Sequence, residues 1–496
     1  MNKRATTILL LCALLTGCTS CGGESPAETT TANTTTAPTE TTSPYADNLP
    51  DDLNFGGETV TFLYRDEIAD EFFTDESNGD IVNDTLYESI RSVEERLNVY
   101  IETVRREGHL TSVRQEYMDH ITSSVLAGDD TYDWVDLMIG NSTVMMRNGI
   151  FLDLTQNKYM DFDQPWYLKG LTETVTVDNK LFFASGDVSI GYLKNSFCIY
   201  FNHDLAETYQ LENLYTLVDN GQWTLDKVME LAAIASQDLN ADGKYDSADN
   251  IGFMIHDYTH LYGFMGSTQI SFFEKNESGE WEYVLGSQRD SDICDKLYTL
   301  LNESTGIFYD PDITNAIPER IDSYNSLTTQ FTSGNVLMIT AQMDDAVSLL
   351  RNMKDSYGVL PFPKLDEDQE NYQSSSRSTH NAFSMPVTCG DPDMAGAVYE
   401  ALGASNYTKL LPAYFEVAMK TKYSNDDDSA RMFDIIHDSF VLDFGYMFNN
   451  ALSDPVRPYW QALHSEGSFA STLASKQSAV NAALEEYMAD IAENCQ

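Results

Sequence analysis

The apolar positions of the chain switch repeatedly between two periods. Val60, Phe62 and Tyr64 alternate with Thr59 and Thr61, the two-residue repeat of a strand. Val82, Leu86, Ile90, Val93 and Leu97 recur at steps of four and three, the repeat of an amphipathic helix. Val99 to Val104 reads as a second strand. Val113, Tyr117, Ile121 and Val125 mark a second helix, closed by Gly128 in a C-cap position. Asp133 to Gly140 reads as a third strand running into a loop. This order predicts an α/β unit with a parallel sheet covered by helices. Ligands of such sheets sit beyond the carboxyl ends of the strands. That rule places Tyr64, Arg65 and Asp66 beside Asn141 and Ser142 at one crevice.

Lys180 to Ala184 and Phe197 to Phe201 carry further strand signals, and Thr224 to Ser236 a helix with Val228, Leu231, Ala232 and Ala235 on one side. A second lobe is expected to begin near residue 196. Val336 to Thr340 and Tyr357 to Pro361 read as its later strands, and Thr379 to Pro386 as extended. The remainder is largely helical, ending with Leu473, Val480, Leu484, Tyr487 and Ile491 on one face. No repeat and no later membrane-spanning run stands out.

The first residues follow a different pattern. Lys3 and Arg4 precede the apolar run Ile8 to Leu15, then Thr16, Gly17 and Cys18. Positive charge, a short apolar core and small residues predict a signal peptide over 1–17, and the run is shorter than the roughly 20 residues a bilayer span needs. Leu15-Thr-Gly-Cys18 resembles the lipobox of bacterial lipoproteins, which implies cleavage before Cys18 and lipidation of its thiol. An ordinary cleaved signal is the alternative. Residues 18–48, rich in Thr and Pro, read as a linker that builds no core. The body is then expected to work outside the cytoplasm, tied to a membrane face.

Composition narrows the classes. Lys plus Arg number 29 against 78 Asp plus Glu, a formal charge of -49. Such a balance argues against nucleic acid or an anionic membrane surface as partner. It weakly favours a neutral or cationic ligand, and otherwise describes a solvated surface. With 28 Tyr and 24 Phe, the acidity does not signal disorder. Cys21, Cys198, Cys294, Cys389 and Cys495 are far apart and odd in number, so disulfides are not expected to stabilise the body.

The sharpest chemical motif is Asp238-Leu-Asn-Ala-Asp-Gly-Lys-Tyr-Asp-Ser-Ala-Asp249. Oxygen side chains fall at Asp238, Asn240, Asp242, Asp246 and Asp249, with Gly243 at the tight turn and the Lys244 carbonyl available between them. Calcium needs six to eight oxygen ligands clustered in this way. Asp249 stands where a longer Glu is usual, so the loop looks like the dockerin variant. One structural calcium is expected, acting as a clamp. His256 and His260, four apart, could in principle hold zinc, but no third ligand suggests itself and the segment reads as a loop. Phosphate-binding glycine loops, nucleophile elbows and zinc-protease signatures are missing from the sequence.

The order of segments between residues 56 and 496 resembles the extracellular solute-binding proteins of ABC importers, of the family 1 sugar-binding type. The likeness lies in Phe201-Asn-His-Asp-Leu205, in Trp223-Thr-Leu-Asp-Lys227, in Phe331-Thr-Ser-Gly-Asn-Val-Leu-Met338 and in Tyr357-Gly-Val-Leu-Pro-Phe-Pro363; Pro412 to Ala418 and Asp434 to Asp438 resemble a clostridial-type subgroup. Phe201 stands where Tyr is usual, and Leu337 where a small Ala is usual. The resemblance implies a two-lobed type II periplasmic-binding-protein fold with a hinge and an interlobe cleft. Lobe 1 would be 56–195 plus 379–410, and lobe 2 would be 196–378 plus 411–496. By position, Tyr64, Arg65, Asp66, Asn141 and Ser142 would meet a ligand from the first lobe, Asn195 from near the crossing, Asp257, Tyr258, His260, Gln342 and Asp344 from the second lobe, and Tyr446 from the C-terminal helices. Tyr192, Tyr258, Tyr262, Phe264, Tyr446 and Trp460 could stack on sugar rings, although for any one of them a core position is the better reading.

The expected function is a lipid-anchored, monomeric receptor that captures a carbohydrate and hands it to an ABC permease without chemistry. An anchored glycoside hydrolase, a surface adhesion or sensor module, and a receptor for peptides or another solute are the rivals.

Overall fold

The computed structural model describes residues 46–496, apart from 244, 247, 257, 258, 310–322, 421–426 and 496. The signal peptide, Cys18 and nearly all of the linker lie outside these residues, as do Lys244, Asp257 and Tyr258.

One four-stranded sheet carries the order β11–β3–β1–β2, from Asn381–Ser384, Trp134–Met138, Glu58–Arg65 and Val99–Arg106. β1 runs parallel to both β2 and β3, and β11 runs antiparallel to β3. The helices Ile81–Leu97 and Thr111–Leu126 connect its first strands. Leu86, Ile90, Val93 and Leu97 are buried as their spacing predicts, and Asp80 caps the first helix by accepting from the Val82 and Asn83 amides.

A five-stranded sheet carries the order β10–β4–β9–β5–β8, from Tyr357–Leu360, Phe197–Asn202, Val336–Gln342, Ile251–Ile255 and Ile307–Tyr309. β5 is parallel to β8 and β9, while β4 is antiparallel to β9 and β10. Helix Leu225–Ala235 covers it, with the Thr224 side chain accepting from the Lys227 amide. A separate hairpin pairs β6, Phe273–Lys275, with β7, Trp281–Tyr283. β3, β4, β5, β10 and β11 are buried along their whole length, as strands packed on both faces must be.

The chain passes between the two sheets along adjacent extended segments. Ser196 bridges Ser376, Phe197 N–H donates to Ser375 at 2.9 Å, and Arg377 N–H donates to Asn195 at 3.2 Å. A third segment joins them where Ser374 bridges Phe440. These short ladders form the hinge.

Some expectations change. The body begins before residue 56, because Asp47 is buried and forms an ion pair with Arg96 while Leu49 enters the core. Lys180 to Ala184 is not a strand; only Ala184 bridges the sheet, at Phe383. β3 runs straight into the helix Ile139–Met145 rather than a loop. The segment 411–496 is not confined to the second lobe. Helix Phe469–Asn494 sends the Tyr487 hydroxyl to the Thr143 carbonyl of the first lobe at 2.5 Å, and Cys495 donates to Met146 at 3.1 Å. A long amphipathic helix buries its apolar stripe wherever a matching surface exists, and here part of that surface belongs to the first lobe. Cys198, Cys294, Cys389 and Cys495 are free and buried. No helix among the described residues is long and apolar enough to cross a membrane.

Candidate functional site

The carboxyl end of β1 is occupied by core. Tyr64 is buried, its ring 5.0 Å from Phe72 and 6.1 Å from Phe383, and its hydroxyl donates to Ile68 at 3.1 Å and accepts from Asn381 at 2.8 Å. Arg65 is 1% exposed and holds Asp136 of β3 through Nε at 2.7 Å and a terminal nitrogen at 3.0 Å. Burial opposes the guanidinium charge, but Asp136 outweighs it and raises the Arg65 pKa. Asp66 is exposed at the start of the short helix Asp66–Glu71. Ser142 is fully buried, donating to Met138 at 3.4 Å, and Asn141 is buried beside it. Tyr64, Arg65 and Ser142 are thus packed inside the first lobe, each engaged by its own neighbours.

In the second lobe, His260 is also buried, sharing a 3.0 Å hydrogen bond with Thr340 of β9. Burial drives its pKa well down, with His256 and Arg377 adding to the effect, so it is a neutral packing residue. Gln342, half-buried, ends β9, and its N–H donates to Asp345 at 2.8 Å. Asp344 is half-buried, 3.8 Å from Lys194. Asn195 lies in the hinge, its amide donating to Gly191 at 2.8 Å.

The structure does bring three of the candidate aromatics together. The Tyr262 ring lies 4.6 Å from Tyr446 and 5.7 Å from Trp460. The Tyr446 hydroxyl accepts from the Ser378 N–H at 3.1 Å, which ties this platform to the hinge. A cavity of about 590 Å3 opens over Tyr262 and Trp460, lined also by Asn449, Asn450, Arg457 and Lys476. Aromatic faces rimmed by amides and by charges of both signs, Asp454 beside Lys476 among them, suit a ligand that is apolar on one face and hydroxylated at its edge. Tyr192 and Phe264 are core instead: the first donates to buried Asp187 at 2.7 Å, and the second packs 4.8 Å from Phe362.

Beside this platform stands a set of residues that the sequence reading does not mark. A terminal nitrogen of Arg65 reaches His109 at 3.3 Å and the Thr379 carbonyl at 3.4 Å, and Arg114 donates to the His109 carbonyl at 3.0 Å. Burial, then Arg65 and Arg377, push His109 down to about 4, so its imidazole is neutral at pH 7. Burial, Arg65 and Arg377 also lower Arg114. Arg377 acts in addition on His260, so its charge reaches elements of both lobes. No local motif announces this cluster. Its members come from a loop, a helix start and a hinge segment that meet only when the lobes are built.

The acidic loop is tightly folded. Asp238 accepts from the Ala241 amide at 2.6 Å and the Gly243 amide at 2.8 Å. Gly243 has φ +79°, which favours a residue without a β-carbon. Asp249 is fully buried, accepting from Leu239 at 2.8 Å and Asp246 at 3.0 Å. The donors are all oxygen, the chemistry a hard cation takes. In this arrangement, however, they face the loop's own amides, and among the described residues no three His, Cys, Asp or Glu side chains gather as a metal site. The same holds for the zinc alternative at His256 and His260.

No family model matches the chain, and no curated protein matches it by sequence. Solved structures do. The galacto-N-biose/lacto-N-biose I-binding protein of an ABC transporter from Bifidobacterium longum is 13% identical, with 87% of this chain and 98% of that one covered at a TM-score of 0.56. The fold is that of a two-lobed solute-binding protein. The GacH receptor of Streptomyces glaucescens, solved free and with acarbose, is 14% identical over 87% and 99% at 0.53. A cyclo/maltodextrin-binding protein holding maltotetraose is 13% identical over 91% and 100% at 0.52.

Proposed function

We propose that the protein is a substrate-binding protein that captures a sugar or oligosaccharide for an ABC importer. The observation that carries this reading is the aromatic platform of Tyr262, Tyr446 and Trp460 fastened to the hinge between two α/β lobes. The ligands named for the similar structures, lacto-N-biose, acarbose and maltotetraose, support a carbohydrate over a peptide. A ligand touching both lobes favours the closed state, since only differential contact shifts such a balance.

Several finer points belong to the same reading. The chain is held to the membrane through lipidated Cys18, works outside the cytoplasm as a monomer, meets permease subunits there, and performs no catalysis. Calcium in the Asp238–Asp249 loop stiffens the second lobe. The loop's oxygen donors support this, and a higher melting temperature in calcium than in chelator is the expected result; equal melting in both removes the ion from the account.

The test is a thermal-shift screen of the purified chain against saccharides of different charge and length, followed by small-angle scattering with the best binder. A raised melting temperature and a smaller radius of gyration are expected. Hydrolysis of an oligosaccharide in the same tube would move the protein to the glycosidases, which need two carboxylates flanking the bond they cleave. Silence across the whole screen would end the carbohydrate reading.

A further inference from the structure

The chain holds 78 acidic residues against 29 Lys and Arg, so a partly buried arginine would be expected to find a carboxylate. Arg65 does, in Asp136. Arg114 and Arg377, both half-buried, have none within ion-pair distance among the described residues. Two acids of the same region are engaged elsewhere. Asp136 is held by Arg65. Glu67 accepts from the amides of Gly108 and His109, each at 3.1 Å. His109 is neutral and cannot add to the repulsion. The Nε atom of Arg114 and the hydroxyl of Thr379 are buried without a hydrogen-bond partner. Positive charge has thus been gathered beside the hinge of a strongly acidic protein with no carboxylate at ion-pair distance from Arg114 or Arg377 among the described residues, a costly arrangement unless something of opposite sign arrives.

We propose that the saccharide is anionic, its carboxylate or sulfate held by Arg377 with Arg114 behind it; this rests on reading the cleft as a carbohydrate site. The two parts of the cleft divide the work. Ser378, which follows Arg377, is tied to Tyr446 at 3.1 Å, and Tyr446 packs on Tyr262. A sugar ring stacked on these aromatics carries its charged substituent toward the hinge, where a guanidinium can donate two parallel hydrogen bonds. Because Arg377 lies on a hinge segment, its neutralisation also removes a repulsion felt by Arg114 in the first lobe. A neutral sugar could use the aromatics but would leave the guanidinium charge standing.

The test uses the purified full chain and calorimetry against four kinds of probe. These are oligouronides containing galacturonate, glucuronate or mannuronate, their carboxyl-reduced neutral counterparts, sulfated galactan oligosaccharides, and neutral malto- and galacto-oligosaccharides. Binding of an acidic probe at least about tenfold tighter than its neutral counterpart is expected. R377Q should weaken the acidic probe by about ten- to a hundredfold while leaving the ligand-free melting temperature unchanged or higher. The uronide and sulfate arms identify the anion. Preference for neutral probes would overturn the proposal and leave the carbohydrate reading intact, whereas no binding to any probe would remove both. Acidic binding that survives R377Q and R114Q alike would overturn the assignment to this cluster. Rescue by R377K in low salt, lost in high salt, separates a charge contact from a structural role.

Discussion

Two polar clusters lie where the lobes meet, and they are built on opposite plans. Around Lys194, one cation stands among three carboxylates: Asp70 at 3.1 Å, Asp344 at 3.8 Å and Glu71 at 3.9 Å. Asp70 and Glu71 follow β1 of the first lobe, and Asp344 follows β9 of the second. Around Arg377, cations gather with no carboxylate at ion-pair distance from it among the described residues. Charge compensated within the chain acts on stability and its pH dependence. Charge left open acts on whatever enters. The Arg65–Asp136 pair, compensated and sealed, marks the extreme of the first kind.

The largest expected effect lies at that extreme. D136A leaves the Arg65 guanidinium buried and alone, and should cost about 3–5 kcal/mol of stability, read as a shift in urea denaturation. A loss below about 1 kcal/mol would mean that water reaches Arg65 and the region is not sealed. Next comes the open side. W460A should weaken the saccharide found in the screen by about tenfold with little change in melting, since Trp460 is only half-buried; unchanged affinity would move the sugar off the platform.

Smaller still is the pH signature of the Lys194 cluster. Burial raises Glu71 from 4.5 to about 7, against the pull of Lys194. Between those values the folded state keeps a proton that the unfolded chain has lost. The Glu71 contribution is therefore complete below about 4.5 and is lost as pH rises through about 7. E71Q should flatten the urea midpoint between pH 5 and 8, and an unaltered profile would remove Glu71 from the account. The smallest effect should be that of R377Q on stability, within about 0.5 kcal/mol. A fall of more than about 1 kcal/mol would place Arg377 with Arg65, as a residue of the scaffold.

The element pattern was largely legible. The helix Ile81–Leu97 buries the residues its spacing selects, and β1, β2, β4, β9 and β10 lie where alternation or apolar runs place them. The rule that ligands gather at strand ends pointed to residues that the structure buries. At the end of β1 the strand is still buried, so Tyr64 and Arg65 are core, and after β3 a helix begins at once with Ser142 buried in it. The aromatic candidates show the same limit. Tyr192 and Phe264 look no different from Tyr262 and Trp460 along the chain. Exposure separates them, and exposure depends on what each element packs against.

The sequence by itself determined the alternation of strands and helices, the signal-like start, the acidic loop and the excess of negative charge. Each of these is written in neighbouring residues and needs no partner from afar. Only the tertiary structure decided that Arg65 has a carboxylate and that Arg377 has none among the described residues, that helix Phe469–Asn494 reaches both lobes, and that the rings of Tyr262, Tyr446 and Trp460 pack together. Compensation of a charge and exposure of a ring are properties of contacts between distant segments, and local spacing carries no record of them.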